Sequence, residues 1–376
     1  MRKRIPCLVV CVLLVYGLAG AAPQERPFGA AQDKQGPGGR WAVIGEILRK
    51  YKADDPQAHG ELMKLRRTDR AAFRSKVGKL VKAPAEKDPE LKKRLDRARP
   101  RTTSSFKPPD SVKVVRDIVY ATYGDRKVML DLYLPKSPPA GKMPCIMIVH
   151  GGGWRSGDKN RFARFASTFA EKGFAAACIA YRLRPEVEVR QCVEDAKASV
   201  RWVRANADKY SIDVERIGAF GGSAGAHLVA MLGTSFKTAK LEGKGGNEGV
   251  SSRVHAVVAL ATPADLTAFG RFMGNAEAAK LISPATYVDS DSAQFLLMHC
   301  KGDRVVPYKQ SLILQEKLKK ANVAVKLITI ESGGHAFWNG TSATATKVRA
   351  DAVSFFQETF KGPKTKLDTT TGDKSD

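Results

Sequence analysis

A serine stands among glycines at the end of a short apolar run, in the segment IGAFGGSAGAH at 217–227. The stretch GGSAG at 221–225 matches the pattern G-x-S-x-G between a predicted strand and a predicted helix. Glycines let the strand and the helix approach closely, so that the turn can present the Ser223 hydroxyl as a nucleophile. An ordinary glycine-rich turn is the alternative. A nucleophilic role requires a base, an acid and an anion-binding loop elsewhere in the chain.

Two loop residues provide the candidate base and acid. His335 stands in the glycine-containing loop ESGGHAFWNG, after the last predicted strand, whereas His227 lies in the same predicted helix as Ser223 and is expected to be structural. Asp303 comes just past a buried strand and is the predicted acid that orients the imidazole, with Asp265 as the competing candidate. The predicted catalytic triad is Ser223, Asp303 and His335, in the chain order of α/β-hydrolases.

A glycine run provides the candidate anion site. The segment IVHGGGWRSG at 148–157 places three successive glycines directly after a predicted strand. Without side chains in the way, backbone N–H groups can turn toward a negatively charged oxygen, and the predicted oxyanion donors are Gly152, Gly153 and Ala224. We expect His150 to orient this loop; a flexible turn is the alternative. Four aromatic residues are candidates for lining a substrate cleft, with core packing as the alternative: Trp154, Tyr181, Phe337 and Trp338.

The segments that would position these residues alternate between strand-like and helix-like patterns. Alternating runs at 112–123 and 126–135 predict an antiparallel hairpin, and the continuous apolar run at 144–150 is typical of a strand covered on both faces. Further strands are predicted at 174–181, 216–220, 254–261, 294–300 and 323–330, and helices at about 160–172, 189–208, 224–233, 308–321 and 344–360. This alternation predicts an α/β fold, with a mostly parallel sheet and helices on both faces.

The remaining segments are predicted to have other roles. Residues 1–21 predict an export signal, because a basic start and a short apolar run precede the small-residue pattern AGA; an uncleaved anchor is the alternative. We therefore expect a secreted or periplasmic protein without a membrane span after cleavage. The other predicted segments are a linker at 22–40, a small basic helical segment at 41–99, a second linker at 100–110, the catalytic domain at 111–360 and a disordered tail at 361–376.

The formal net charge of +25 favours attraction to anionic surfaces. The basic helical segment is a candidate docking face for an anionic polymer, and a solvated face over a few packed helices is the alternative. A specific nucleic-acid partner is not expected, because no recognition motif accompanies the charge. The sequence contains no CxxC, HExxH, P-loop or dinucleotide fingerprint, so neither a metal nor another cofactor is expected. One disulfide is compatible with an exported protein.

Six segments together resemble the α/β-hydrolase esterases of the hormone-sensitive-lipase and BD-FAE-like kind, the latter being bifunctional feruloyl and acetyl-xylan esterases. They are HGGGW (150–154), YRLRPE (181–186), VEDAKASVRWVRANA (193–207), GGSAGAH (221–227), GDRVVP (302–307) and GGHAFW (333–338). The resemblance implies Ser223 as nucleophile, with Asp303 and His335 as its partners. It also implies a small-molecule or carbohydrate ester as substrate, with acetyl or feruloyl esters favoured.

Two residues depart from the pattern of that family. Arg184 stands where the lipase-like members usually carry a small residue, and Cys300 replaces a residue that is usually glycine. Other functions stay open at this point. They are an amidase, formamidase or peptidase of the same fold, and a non-catalytic binding protein on a hydrolase scaffold.

Overall fold

The computed structural model describes residues 40–68, 73, 76–78, 80–81, 89, 106–268 and 276–361. The predicted export signal, residues 22–39 of the first predicted linker, residues 100–105 of the second and residues 362–376 of the predicted tail lie outside the described residues. The chain divides between Ser104 and Ser105 into two compact units. Unit 1 precedes this boundary and unit 2 follows it.

Unit 1 contains the helices α1 (Arg40–Asp54) and α2 (Pro56–Thr68). The Asp55 carboxylate accepts a hydrogen bond from the backbone N–H of Ala58 at 2.8 Å and so caps the start of α2. Apolar side chains that recur along the sequence at helical spacing form a buried cluster: Ile44, Leu48, Leu62, Phe73, Val77 and Val81. The described part of the basic segment is therefore helical, as its periodicity indicates.

Unit 2 contains one sheet of eight strands among its described residues. The strands are β1 (Val112–Tyr123), β2 (Arg126–Pro135), β3 (Met143–Val149), β4 (Ala175–Ile179), β5 (Ile212–Gly222), β6 (Ala256–Leu260), β7 (Gln294–Cys300) and β8 (Val325–Ile330). Their order across the sheet is β1-β2-β4-β3-β5-β6-β7-β8. Strand β2 is antiparallel to both of its neighbours, and the pairs from β4 to β8 are parallel. The predicted α/β fold with a mostly parallel sheet is confirmed.

The hairpin of β1 and β2 forms where alternation and turn chemistry predict it. Tyr123 pairs with Arg126 across a two-residue turn, and Gly124 there has a φ of 57°, which a residue without Cβ adopts at little cost. Strand β3 is different, since every residue in it except Pro144 is buried. Its continuous apolar sequence reflects cover on both faces.

Helices pack on both faces of the sheet. They are α3 (Ala163–Glu171), α4 (Val189–Ala205), α5 (Ala224–Thr234), α6 (Ala276–Leu281), α7 (Lys309–Lys320) and α8 (Ala343–Lys361). Helices α3 and α8 share one buried cluster, in which the Phe169 ring lies 5.8 Å from Phe220 and 5.6 Å from Phe356. Helices α4, α5 and α7 contribute to the cluster on the opposite face. None of the described helices is long and apolar enough to cross a membrane.

The order of the strands reverses at β3. Strand β3 lies between β4 and β5, so the chain leaves β3 on one side and returns beside it on the other. In parallel α/β sheets, ligands bind at such a reversal, outside the carboxyl ends of the strands. The loops after β3, β5, β7 and β8 all begin at this edge. These loops carry the glycine run, Ser223, Asp303 and His335.

Candidate active site

Ser223 occupies a strained turn between β5 and α5. Its φ of 58° and ψ of −122° lie in a region that side-chain-bearing residues rarely adopt. The surrounding chain imposes this conformation, because a Cβ on Gly221 would lie 2.5 Å from the Gly225 carbonyl oxygen, and the Ser223 N–H donates to the Leu260 carbonyl at 2.8 Å. The turn therefore holds the hydroxyl at the carboxyl edge of the sheet, at the N-terminus of α5.

His335 joins the serine to the aspartate. Its Nε2 lies 2.8 Å from Ser223 Oγ, and its Nδ1 lies 2.7 Å from Asp303 Oδ2. A carboxylate oxygen can only accept, so Nδ1–H donates to Asp303, and Nε2 is left to accept the serine hydroxyl. The three predicted residues are thus brought together, although β5, β7 and β8 are far apart in sequence. This tautomer is the one that removes a proton from a serine.

Asp303 is held as a carboxylate. Its side chain is fully buried, and Oδ1 accepts hydrogen bonds from the N–H groups of Val305 at 2.8 Å and Val306 at 3.0 Å. Burial alone would raise the pKa of Asp303, but hydrogen bonds from His299, His335 and the Val305 N–H outweigh it and hold the pKa well below its usual range. The group beneath His335 is therefore negatively charged at neutral pH.

The competing acid, Asp265, has other partners. Its Oδ1 accepts from the Thr267 N–H at 3.0 Å and from the Thr267 hydroxyl at 2.6 Å. Its backbone N–H donates to Gln310 at 2.8 Å. Asp265 therefore stabilises its own turn, and it is Asp303 that lies against His335.

The glycine run lies directly against the serine turn. A Cβ on Gly151 would be 2.5 Å from the Gly222 carbonyl oxygen and 3.3 Å from Ser223 Cβ, so only glycine allows this approach. Gly152 and Gly153 follow with φ of 131° and 62°. The predicted oxyanion donors Gly152, Gly153 and Ala224 therefore belong to two segments that meet beside the serine. Their role in binding an oxyanion stays a prediction.

His150 anchors this loop, as its position predicts. Its Nδ1 lies 2.9 Å from the Gly151 carbonyl, and its own carbonyl accepts from the Tyr181 hydroxyl at 3.0 Å. The rings of His150 and Tyr181 stack at 4.3 Å. Burial lowers the pKa of His150 to about 4, so the ring is neutral at pH 7. A neutral ring with Nδ1–H donates to Gly151 and fixes the start of the loop.

His227 is also structural. Trp154 Nε1–H donates to His227 Nδ1 at 3.2 Å, and His227 Nε2–H donates to the Ile282 carbonyl at 2.6 Å. Burial lowers the pKa of His227 to about 4. The neutral ring therefore links the glycine loop to the end of α6.

The aromatic candidates for substrate contact are mostly packed in the core. Trp154 and Tyr181 are only 3% and 2% exposed and bond to the neighbouring loop residues, which argues against the prediction that they line an open cleft. Trp338 is also buried, but its ring lies 5.6 Å from His335, edge to face, and Phe337 packs against Trp338. The structure therefore places Trp338 beside the base, and Trp154 and Tyr181 beneath the glycine loop.

One polar residue near the acid was not predicted. His299 lies in β7 and is fully buried, with its Nε2 3.4 Å from Asp303 Oδ2. Its sequence signal is a histidine that follows the apolar run FLLM in this strand, four residues before the acid. A polar side chain at a buried strand position needs a partner, and this requirement points to the loop that follows the strand.

The described residues are also expected to hold no metal ion, and one disulfide is compatible with the sequence. No group of three or more His, Cys, Asp or Glu side chains there is placed to hold a metal ion. The four cysteines in unit 2 are buried and unpaired: Cys145, Cys178, Cys192 and Cys300. A disulfide between any of these four is therefore not formed.

The sheet carries a serine at the strand-to-helix turn after β5, and the two partners of that serine follow β7 and β8. This arrangement defines an α/β-hydrolase. The BD-FAE family model matches residues 130–318, and the chain belongs to that family.

Known proteins similar to this chain are esterases. Esterase LipQ of Mycobacterium tuberculosis is 29% identical over 64% of this chain and 61% of its own length. The probable isoprenylcysteine alpha-carbonyl methylesterase ICMEL1 of Arabidopsis thaliana is 28% identical over 59% of this chain and 51% of its own. The chain thus spans less than two thirds of the length of the curated relatives that it matches.

Two solved structures are matched over nearly their whole length, unlike the curated relatives. Esterase 2 of Thermogutta terrifontis, phosphorylated by paraoxon, matches with a TM-score of 0.60 and 29% identity over 67% of this chain and 95% of that one. A truncated carbohydrate esterase from gut microbiota matches with a TM-score of 0.59 and 28% identity over 68% of this chain and 100% of that one.

Proposed function

We propose that the protein is a serine carboxylic-ester hydrolase. The observation that carries this proposal is the hydrogen-bonded series from Ser223 Oγ through His335 to Asp303, with distances of 2.8 and 2.7 Å. A hydroxyl, a correctly oriented imidazole and an ionised carboxylate in this order are what acyl transfer requires. Backbone N–H groups of the strained turn and of the adjoining glycine loop would form the oxyanion-binding site.

In the first half of the proposed reaction, the serine is acylated. His335 Nε2 takes the proton from Ser223 Oγ as the oxygen attacks the ester carbonyl carbon, and the carbonyl electrons move onto the oxygen. The N–H groups of Gly152, Gly153 and Ala224 bind that oxyanion. When the tetrahedral intermediate collapses, the bond to the alcohol oxygen breaks, and His335 returns its proton to the leaving alcohol.

The second half releases the acid. Water attacks the acyl carbon while His335 accepts one of its protons, and collapse breaks the bond to Ser223, whose oxygen is reprotonated by His335. In both halves Asp303 stays ionised and stabilises the imidazolium that forms transiently. The low pKa of Asp303 supports this role, because the carboxylate does not take the proton itself.

Similar proteins support an activated nucleophile. The Thermogutta terrifontis esterase 2 has been solved phosphorylated by paraoxon, phosphonylated by cyclosarin and with propionate or butyrate bound. By analogy, this site would take short acyl groups.

For the alcohol portion we propose a carbohydrate, with acetyl or feruloyl esters as the favoured substrates. Membership of the BD-FAE family and the similarity to a carbohydrate esterase support this choice. Acetylated xylan and feruloylated sugars should be hydrolysed faster than N-formyl or peptide substrates of comparable size. A preference for the amides would favour the formamidase or peptidase alternative.

We further propose that the protein is exported through residues 1–21. The basic start, the short apolar run and the AGA pattern support a cleavable signal. Fractionation of expressing cells, with N-terminal sequencing of the product, should find it outside the cytoplasm and beginning near residue 22. Retention in the cytoplasm at full length would contradict the proposal.

The function is tested by Ser223→Ala, assayed on a short-chain aryl ester. Loss of the nucleophile should lower kcat by about 10⁴- to 10⁶-fold and leave the fold intact. Asp265→Asn is the matched control, because the contacts of Asp265 with described residues are to its own turn and to α7, so its loss should leave kcat unchanged. Wild-type hydrolysis by the Ser223→Ala protein would refute the proposed function.

A further inference from the structure

His299 lies behind the acid of the triad, with a hydrogen bond at each ring nitrogen. Its Nε2 is 3.0 Å from the Val306 carbonyl oxygen and 3.4 Å from Asp303 Oδ2. Its Nδ1 is 2.7 Å from Ser311 Oγ, at the start of α7. The ring therefore connects β7, the loop that carries Asp303 and the helix that follows it.

The partners determine where the ring proton lies. A carbonyl oxygen can only accept, so the proton sits on Nε2 and points toward Val306 and Asp303 Oδ2. The Ser311 hydroxyl can donate to Nδ1. A single ring proton satisfies this whole arrangement, and that proton is directed at the acid loop.

The Asp303 carboxylate has few other restraints on this side. Oδ1 is bonded to the N–H groups of Val305 and Val306, and Oδ2 is bonded to His335. Among the described residues, Oδ2 faces the ring N–H groups of His335 and His299. Since both His299 and Asp303 side chains are fully buried, water does not readily replace that N–H.

We propose that His299 is a positioning residue for the triad: its Nε2–H holds the Val306 carbonyl and faces Asp303 Oδ2, and so keeps the carboxylate aligned on His335 Nδ1. This inference rests on the proposed function, because it assigns a role within the same site. His299 acts through Asp303 and does not touch the substrate. Its loss should therefore affect kcat and leave KM unchanged.

The test compares three variants of the full chain on a short-chain aryl ester. His299→Phe removes the N–H donor but retains a ring, whereas His299→Gln retains an N–H at the end of the side chain. Leu297→Ala is the control for lost packing, because Leu297 is equally buried two residues earlier in β7 and has no polar contact with the acid. Competent sites are counted with a fluorophosphonate probe, and kcat is expressed per labelled site.

Per labelled site, His299→Phe should lower kcat by about 10- to 100-fold with KM unchanged, because catalysis is sensitive to displacements of about 1 Å. His299→Gln should recover most of that loss. Leu297→Ala should lower the melting temperature but keep wild-type kcat per labelled site. If His299→Phe does not fold, Ser311→Ala decides, since removing the donor to Nδ1 should lower kcat in the same direction by a smaller factor.

The inference is overturned if His299→Phe, or Ser311→Ala in its place, keeps wild-type kcat per labelled site. It is also overturned if Gln and Phe at position 299 lower kcat equally, because the N–H would then be irrelevant. Failure of the proposed function is a different result: the wild-type protein itself would show neither hydrolysis nor labelling of Ser223.

Discussion

Gly151→Ala is a small change that should disable the site without unfolding the protein. A Cβ on residue 151 would lie 2.5 Å from the Gly222 carbonyl oxygen and 3.3 Å from Ser223 Cβ. Even weak C–H···O contacts have carbon–oxygen distances of about 3.3–3.6 Å, so the glycine loop must move away from the serine turn by roughly 1 Å. The neighbours in conflict are backbone and Cβ atoms, which cannot rotate away.

The expected effect on kcat follows from this displacement. A shift of about 1 Å costs on the order of 10²-fold, and loss of one oxyanion donor costs about 10²- to 10³-fold. Gly151→Ala should therefore lower kcat by about 10²- to 10³-fold on a short-chain aryl ester. Gly302→Ala is the matched control, since a Cβ there would lie 3.8 Å from the Gly333 carbonyl, an ordinary contact.

The assay measures kcat and KM for both variants, with circular dichroism to verify the fold. Wild-type kcat in a folded Gly151→Ala protein would refute the close approach of the glycine loop to Ser223. If kcat fell equally in Gly151→Ala and Gly302→Ala, the effect would come from replacing a glycine as such and not from the contact with the serine turn.

Three further predictions concern the groups around the triad. Asp303→Asn should lower kcat by about 10⁴-fold, because an amide can hold His335 in the wrong tautomer; steady-state kinetics at pH 7 checks this, and a loss below tenfold would contradict it. The lowered pKa of Asp303 contributes stability that is fully present above the unfolded value of about 3.9 and is lost as the pH falls toward the folded value. The urea midpoint should therefore fall more steeply on acidification below pH 4 in wild type than in Asp303→Asn, and parallel curves would contradict this. Trp154→Phe leaves His227 Nδ1 without its donor and should cost about 1–3 kcal/mol in urea unfolding, whereas an unchanged midpoint would show that this hydrogen bond contributes nothing.

Local patterns in the sequence were enough to predict most of the fold. The β1–β2 hairpin forms at 112–123 and 126–135, with the turn between them, because period-two alternation and a glycine turn act over a few residues. The alternation of strands and helices predicts the parallel sheet for the same reason. The contact between Ser223, His335 and Asp303 could be anticipated because parallel strands end at one edge.

Features that depend on tertiary contacts were harder to predict. Strand β5 starts at Ile212 and not at 216, because Ile212 pairs with Met143; the register then shifts, so that residues 213–216 lie between this pair and the pair of Cys145 with Ile217. The short helix α6 has too few residues to show a period. Trp154 has an aromatic side chain suited to a cleft, yet it lies buried with its indole N–H bonded to a histidine in α5, a contact between segments far apart in the sequence.

The role of His299 could not be predicted from the sequence for a similar reason. Its sequence shows only a histidine in an apolar strand, and the distances to Asp303 and Val306 depend on how the loop after β7 folds back. A long-range polar contact of this kind leaves no periodic signal in one sequence.

The most direct test of Ser223 as the nucleophile is to treat the protein with a fluorophosphonate and locate the adduct by mass spectrometry. One adduct per chain is expected, on the peptide that contains Ser223, with much slower labelling in His335→Ala. An adduct on another residue, or continued ester hydrolysis by a protein whose Ser223 stays unlabelled, would contradict it.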